Sequence, residues 1–423
     1  MRFITILQRA LSKFLGTDVR YLATGSFWLS LNKVTNIVAA FLLSVVYARY
    51  ISKDTYGTYR YILSFIGAFG IFAIPGMGTA VIRSIARGYT GAFKQAATTI
   101  FLFSWGISFS CVAAAIYFYL QGTFPIAIGF LLAALFAPFS EGLGAWRNYY
   151  TGTKQFQKGM IFSSATQLFY GGTMLIGITG AVLYGYSHTV TLALLVGIYL
   201  AAHAVPNIIL TRRVWNTISP SSPKDPETFR YGIHLSISEI PSIAAAYIDS
   251  LLLFSLLGAE SLAIFSFAFA PVEQLKSIFG TAATVSMPKI AAKTASPKTK
   301  AVLHSSLPKK LFRASFLTAI AVGTYIVAAP LLFRILFPQY IQAVPYTQVL
   351  ALSLALFPLG VFGTALKAEG NMKKIYVFSI VTPFIQIAAT LILIPIFGVW
   401  GAIWARVGER FFHHALLTYL YYK

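Results

Sequence analysis

The chain has 423 residues, of which 57% are hydrophobic, 16% aromatic and 10% charged, against about 25% charged in an ordinary soluble domain. So few charges cannot cover that much apolar surface, which excludes disorder, a collagen or disulfide scaffold and a large soluble catalytic domain; most of the chain must face lipid or pack in a helix bundle. The 33 Lys+Arg outnumber the 11 Asp+Glu for a net charge of +22, but they fall between apolar segments of about 20 residues, the pattern of membrane topology and not of a nucleic-acid surface.

Residues 1–23 read as a basic amphipathic segment lying in the membrane interface. Phe3, Ile6, Leu7, Ala10, Leu11, Phe14 and Leu15 share one helical stripe, with Arg2, Arg9 and Lys13 off it. A signal peptide is not expected there, since Gln8 and Arg9 interrupt any apolar core. A membrane helix needs about 20 mainly apolar residues, and that ruler predicts twelve spans. They lie near 24–48, 56–82, 96–120, 124–147, 161–185 and 189–211, then 231–257, 261–287, 311–333, 345–368, 374–395 and 398–421. The one cysteine, Cys111, lies inside an apolar run and can form no internal disulfide.

Assigning the connections to alternate sides puts 25 basic residues with one side and both termini, and four with the other. By the positive-inside rule the rich side is cytoplasmic, which predicts a multi-pass protein of the cytoplasmic (inner) membrane with both ends inside. A shift of 206 residues brings Lys53-Asp54 onto Ala259-Glu260 and Tyr56-Gly57-Thr58-Tyr59 onto Leu262-Ala263-Ile264-Phe265, preserving class more than identity. The expected organisation is therefore an N-terminal six-helix lobe over 24–211, a Pro/Ser-rich linker over 212–230 and a parallel C-terminal six-helix lobe over 231–423. Two such lobes suit a carrier that holds its substrate between them and rocks one lobe on the other.

Charges inside the spans mark the candidate site, because each costs about 2.5–3.5 kcal/mol at the bilayer centre unless it meets water or a partner. Lys33, nine residues into the first span and flanked only by Asn32 and Asn36, has no acid in its own span and points to an anionic ligand. Arg60 sits near the outer end of the second span, and Lys276 in the eighth lies one helical turn from Glu273. Glu239 and Asp249 in the seventh span, with Glu273, are candidates for ion coupling or for structural pairing. Arg406, Glu409, Arg410 and His413 form a group in the twelfth, where Glu409 could neutralise Arg406 or His413. The six histidines show no metal spacing and no phosphate-binding loop occurs, so no metal, cofactor or enzymatic activity is expected. H⁺ and Na⁺ remain candidate coupling ions.

Gly25-Ser26-Phe27-Trp28 and the run Ala48-Arg49-Tyr50-Ile51-Ser52-Lys53-Asp54-Thr55-Tyr56-Gly57-Thr58-Tyr59 resemble the first two helices of the polysaccharide-transport (Wzx-type) lipid-linked oligosaccharide flippases. These belong to the multidrug/oligosaccharidyl-lipid/polysaccharide exporter (MOP) superfamily. Asp249-Ser250-Leu251-Leu252-Leu253, Met287-Pro288-Lys289-Ile290 and the stretch Leu393–Ala405 are similar to second-half segments of that family, with Phe265 where a tyrosine is usual and Arg406 after a stretch that is commonly small and uncharged. The resemblance implies an all-α, MATE-like fold of twelve helices that moves undecaprenyl-pyrophosphate-linked oligosaccharide repeat units across the membrane, for O-antigen, capsule or exopolysaccharide. It implies Lys33, Arg60, Lys276 and, more weakly, Arg406 as headgroup contacts, with membrane lipids, a polysaccharide polymerase and a chain-length regulator as candidate partners. The competing expectations are a multidrug cation antiporter of the same superfamily and a non-transporting scaffold.

Overall fold

The computed structural model describes the backbone of residues 19–294, 297–369 and 372–423, and the side chains of 33–280, 311–363, 365–366 and 374–423. The amphipathic reading of residues 1–18 and the side chains of Met287-Pro288-Lys289-Ile290 lie outside the described residues. Every regular element described is helical. Among the described residues, seven helices are long and apolar enough to cross a membrane, and a bent pair makes up to eight.

The first helix, α1 (Val19–Tyr50), ends two residues before α2 (Lys53–Phe69), whose start is capped by the Ser52 hydroxyl accepting from the Thr55 amide at 3.2 Å. After α2 the chain tightens into a 3₁₀ turn, Gly70–Ala73, and resumes as α3 (Gly76–Ala86), bent by 45° from α2. Pro75, which offers no amide hydrogen and constrains its predecessor, sits at that break, and Ile74 takes a left-handed φ of 47°. The predicted second span is thus two helices. There follow α4 (Ala92–Leu120), α5 (Phe124–Ser140), short α6 (Trp146–Gly152), α7 (Phe156–Leu183) and α8 (His188–Thr217). The predicted span 124–147 therefore ends as an α-helix at Ser140, two residues after Pro138. Its exit is fixed from α8, where Asn207 accepts from the Trp146 indole at 2.9 Å and donates to the Ser140 carbonyl at 2.7 Å.

The next stretch, α9 (Thr228–Thr294), would be roughly 100 Å long if straight, three times a bilayer core. It turns at Gly258, whose φ of 81° and ψ of −179° only glycine adopts readily. One residue thus does the work of a loop, separating a first limb, 228–257, from a second, 259–294. The chain continues as α10 (Pro297–Leu336), the 3₁₀ turn Pro338–Ala343 and α11 (Val344–Leu352). A 3₁₀ stretch over Ser353–Gly360 around Pro358 splits the predicted tenth span before α12 (Val361–Glu369), and α13 (Met372–Phe397) and α14 (Val399–Tyr422) complete the chain. Connections 87–91, 153–155 and 218–227 lie at one end of the bundle with most of the described basic residues, hereafter the basic end. Connections 51–52, 121–123, 184–187, Gly258 and Gly398 lie at the opposite end.

Two features position the site. The first is a seam: α2 and α3 run antiparallel to the first limb of α9 along its whole length. Tyr61 stacks on Phe254 with ring centroids 3.9 Å apart, the Gly76 amide donates to the Ser236 hydroxyl at 3.0 Å, and Ser84 meets Thr228 at 2.8 Å. Gly57 is required at one end of it, because a Cβ there would fall inside the Ala259 carbonyl. Gly57→Val is expected to cost roughly 1–3 kcal/mol, the usual penalty of an overpacked contact that only backbone movement relieves; thermal unfolding in detergent measures it, and an unchanged midpoint would mean the seam is loose.

The second is a clasp at the basic end. The segment between α8 and α9 is held on the first half by Lys94 donating to the Ile218 carbonyl at 2.7 Å and by the Gly91 amide donating to the Pro223 carbonyl at 3.0 Å. Ser84 donates to Asp225 at 2.6 Å, and Arg83 pairs with Glu227 at 3.6 Å. The Ser84 hydroxyl, with the Glu227 amide and the nearby Arg87 and Arg83, holds the buried Asp225 carboxyl below its ordinary value of 3.8. A group whose pKa falls on folding stabilises the fold above its unfolded value and ceases to as acid titrates it. Asp225→Asn is therefore expected to lower stability at pH 7 by roughly 1–3 kcal/mol, with the gap to the wild type closing only below about pH 4; unfolding midpoints from pH 3 to 8 test this.

Candidate functional site

A cavity of about 210 Å³ opens among α1, α2, α7, α8 and the second limb of α9. From α1 it receives Ala40, Phe41, Leu43, Ser44 and Tyr47, from α2 Tyr56, Tyr59, Arg60 and Leu63, from α7 Gln167 and Tyr170, and from α8 Tyr199. The second half supplies Phe267, Ala270, Pro271 and Gln274 of α9 and Phe337 beyond α10. The two walls differ: the first half presents hydroxyls, an amide and a guanidinium, and the second mainly apolar carbon.

Arg60 is the one ion in that lining. It sits seven residues into α2, its Nε is buried with no hydrogen-bond partner, and no carboxylate pairs with it among the described residues. Burying a cation without a counter-charge is costly unless a ligand or water meets it. The tyrosines around it are held mainly by one another. Tyr47 lies 3.4 Å from both Tyr59 and Tyr170, oxygen to oxygen, and Tyr199 packs edge-on against Tyr59 and Tyr170 at centroid distances of 6.1 and 5.5 Å. The His203 ring closes that cluster, 4.6 Å from Tyr199.

Away from the basic end the cavity is closed. Arg49 donates to the Ile335 carbonyl at 2.8 Å, Gln339 donates back to the Arg49 carbonyl at 3.3 Å, and Lys53 pairs with Glu260 at 2.7 Å. Phe41 and Phe337, both in the lining, meet edge to face at 6.2 Å between centroids.

The other predicted site residues fall into two groups. Lys33 lies on α1 seven residues, about 10 Å, toward the basic end from Ala40; it is half-buried and has no hydrogen bond or ion pair among the described residues. Lys276 lies two residues beyond Gln274, so α1 and α9, which flank the cavity, each carry an ammonium group on its basic side. Lys276 shares Glu273, at 3.3 Å, with Arg410, which also donates to Ser353 at 2.9 Å, and the Glu409 carboxyl lies close enough to act on both cations. Arg406 is committed elsewhere: its Nε donates to Asp249 at 2.6 Å and its Nη2 to the Ala246 carbonyl at 2.9 Å, while Phe269 lies 5.1 Å beneath. Asp249, 1% exposed, also accepts from the Ser250 amide at 2.8 Å. Asp249 and Glu273 are thus paired by arginines of α14, whereas Glu239 is half-buried with no ion pair among the described residues. Of the partners suggested for Glu409 within the twelfth span, Arg406 instead makes its short hydrogen bond to Asp249, while Glu409 lines a second cavity of about 260 Å³ together with His413, Thr382 and Gln386.

The tyrosine cluster escaped sequence reasoning, which weighed only charges. A signal existed: tyrosine favours the membrane interfaces, whereas Tyr170 and Tyr199, with Gln167, lie in the middle of long apolar helices.

Residues 22–293 match the model of a family described as polysaccharide biosynthesis protein. Among solved structures, the fold is similar to one titled lipid II flippase MurJ, inward closed conformation, at 13% identity and a TM-score of 0.66, covering 94% of this chain and 87% of that one. It is also similar to a MOP superfamily transporter from Pyrococcus furiosus, whose title reports a binding pocket of reversed polarity, at 14% identity and a TM-score of 0.64 over 94% and 95% of the two chains. An inward-facing multidrug resistance MATE family transporter matches at 14% identity and 0.63, over 92% and 95%. No curated protein matches the sequence.

Proposed function

The chain belongs to the polysaccharide biosynthesis protein family, and from that premise we propose that it is a flippase carrying undecaprenyl-pyrophosphate-linked oligosaccharide repeat units across the cytoplasmic membrane. The observation that carries this reading is Arg60, half-buried with its Nε fully buried and unpartnered and with no carboxylate paired to it among the described residues, in a cavity of hydroxyls and amides. A pyrophosphate supplies the missing charge, and arginine's fork suits phosphate oxygens better than a point charge would. Lys33 and Lys276 then stand as ammonium groups on the approach from the basic end, which the excess of Lys and Arg assigns to the cytoplasm together with both termini. Arg406 is a structural pair in this reading. O-antigen, capsule and exopolysaccharide precursors share the headgroup chemistry and are equally suited.

Twelve spans in two parallel lobes, 24–211 and 231–423 joined by 212–230, are the organisation we propose for the carrier. Lys53 pairs with Glu260, which the 206-residue shift aligns with the neighbouring Asp54; segments related by a repeat meet in this way near an axis along the membrane normal. A cation antiporter of the same superfamily is disfavoured, because an unpaired Arg60 repels a cationic substrate.

The test is a complementation assay in a strain lacking the chain, with lipid-linked precursors measured on both leaflets. The expected result is loss of surface glycan and build-up of precursor on the inner leaflet, reversed by the wild type. Normal glycan without the protein would end the flippase reading.

A further inference from the structure

We propose that the tyrosine wall of the first half is a sugar-binding subsite: Tyr59, Tyr170, Tyr199 and Gln167 hold the monosaccharide attached to the phosphate, while Arg60 holds the phosphate itself. The inference rests on the flippase reading and adds the part of the cargo that each residue meets.

Three observations carry it. The lining holds one charge but many neutral hydrogen-bonding groups, more than a diphosphate alone can use and the kind that pair with sugar hydroxyls. Tyrosine offers the face of an apolar ring for the C–H side of a sugar and a hydroxyl for its rim. Secondly, those hydroxyls satisfy one another poorly. The Tyr47–Tyr59 and Tyr47–Tyr170 distances of 3.4 Å are well beyond the roughly 2.7–2.8 Å common for hydroxyl pairs, so a polar ligand improves the bonding it displaces. Thirdly, at about 210 Å³ the cavity falls short of the roughly 300 Å³ at which drug-sized pockets begin. One sugar ring fits this volume and an oligosaccharide does not. Because the facing wall is Phe267, Ala270, Pro271 and Phe337, relieved only by Gln274, polar recognition falls to the first half, and the second closes over it with carbon.

The experiment uses the full-length protein in nanodiscs and measures binding of undecaprenyl pyrophosphate alone, then of the same lipid bearing one glucose, galactose or N-acetylglucosamine. The wild type is expected to bind at least one sugar-bearing lipid about tenfold more tightly than the bare one, the scale of one hydrogen bond to a buried partner. Tyr199→Phe and Tyr170→Phe, which keep the rings and hence the packing, should erase that preference and leave the bare lipid's affinity unchanged. Arg60→Gln should weaken both probes alike. Equal affinity of the wild type for every probe overturns the subsite, as does an equal loss for bare and sugar-bearing lipids in the tyrosine variants, which would place those hydroxyls on the phosphate or in the fold. A wild type that binds neither the bare lipid nor any sugar-bearing one overturns the flippase reading itself.

Discussion

Arg60→Gln is expected to abolish transport while leaving the protein folded and inserted. The side chain has no partner to orphan, so its removal costs the fold little; the buried Nε already lacks a hydrogen bond. The loss falls on the bound state, where charged hydrogen bonds contribute about 1.5–3 kcal/mol each, a factor of about 10–150 in affinity. Arg60→Lys should recover part of this, since it restores the charge without the planar fork. Precursor flipping in proteoliposomes, beside unfolding midpoints for each variant, separates the two effects. Wild-type flipping by Arg60→Gln would remove the guanidinium from any role in the cargo.

The second large effect lies at Asp249 and Arg406. Asp249→Asn leaves a buried arginine without its counter-ion, and Arg406→Leu leaves a buried carboxylate without its own; breaking a buried pair from either side costs about 3–5 kcal/mol. The double variant Asp249→Leu with Arg406→Leu should regain most of that loss, because two apolar side chains can replace an ion pair at little net cost. Transport should return with stability. If the double variant is stable but does not transport, the Arg406 guanidinium acts on the cargo or on a coupling ion, and its place in the pair is incidental. Unfolding midpoints and flipping rates for the three variants, treated as a double-mutant cycle, decide between these outcomes.

Much of the helical plan was legible in the sequence because bilayer thickness acts as a ruler: runs of about 20 apolar residues separated by Gly, Pro or charge have one sensible reading. The ruler failed where the backbone breaks inside a run. The bend after Phe69, the end of α5 at Ser140 and the 3₁₀ stretch before Val361 all lie beside prolines that composition alone treats as part of a span. Of the site, Arg60 could be nominated from its depth. Its lack of a carboxylate partner could not, just as the sequence offered Glu409 for Arg406 while the hydrogen-bonded partner is Asp249, 157 positions away. Charge pairs across helices are set by packing and leave no local trace, whereas i, i+3 pairs such as Glu273 and Lys276 do. The tyrosines went unnoticed because an aromatic counts as apolar in any hydropathy sum, while its hydroxyl becomes decisive only when several converge.

The contact between α2–α3 and the first limb of α9 extends from Gly57 beside Ala259 to Ser84 beside Thr228, and the clasp at Asp225 pins its lower end. Two rods touching along their full length cannot be spread at one tip without either prying the other or snapping in the middle, and Pro75 is the place where this pair is already bent. Any exchange of exposure between the two faces of the membrane must therefore swing about this flank as a door swings about its jamb, with the widest excursion at the opposite flank, between α1 and the second limb of α9. A cargo of the kind proposed above, its head inside and its chain trailing in the bilayer, would need an aperture on one flank alone, and this asymmetry suits it.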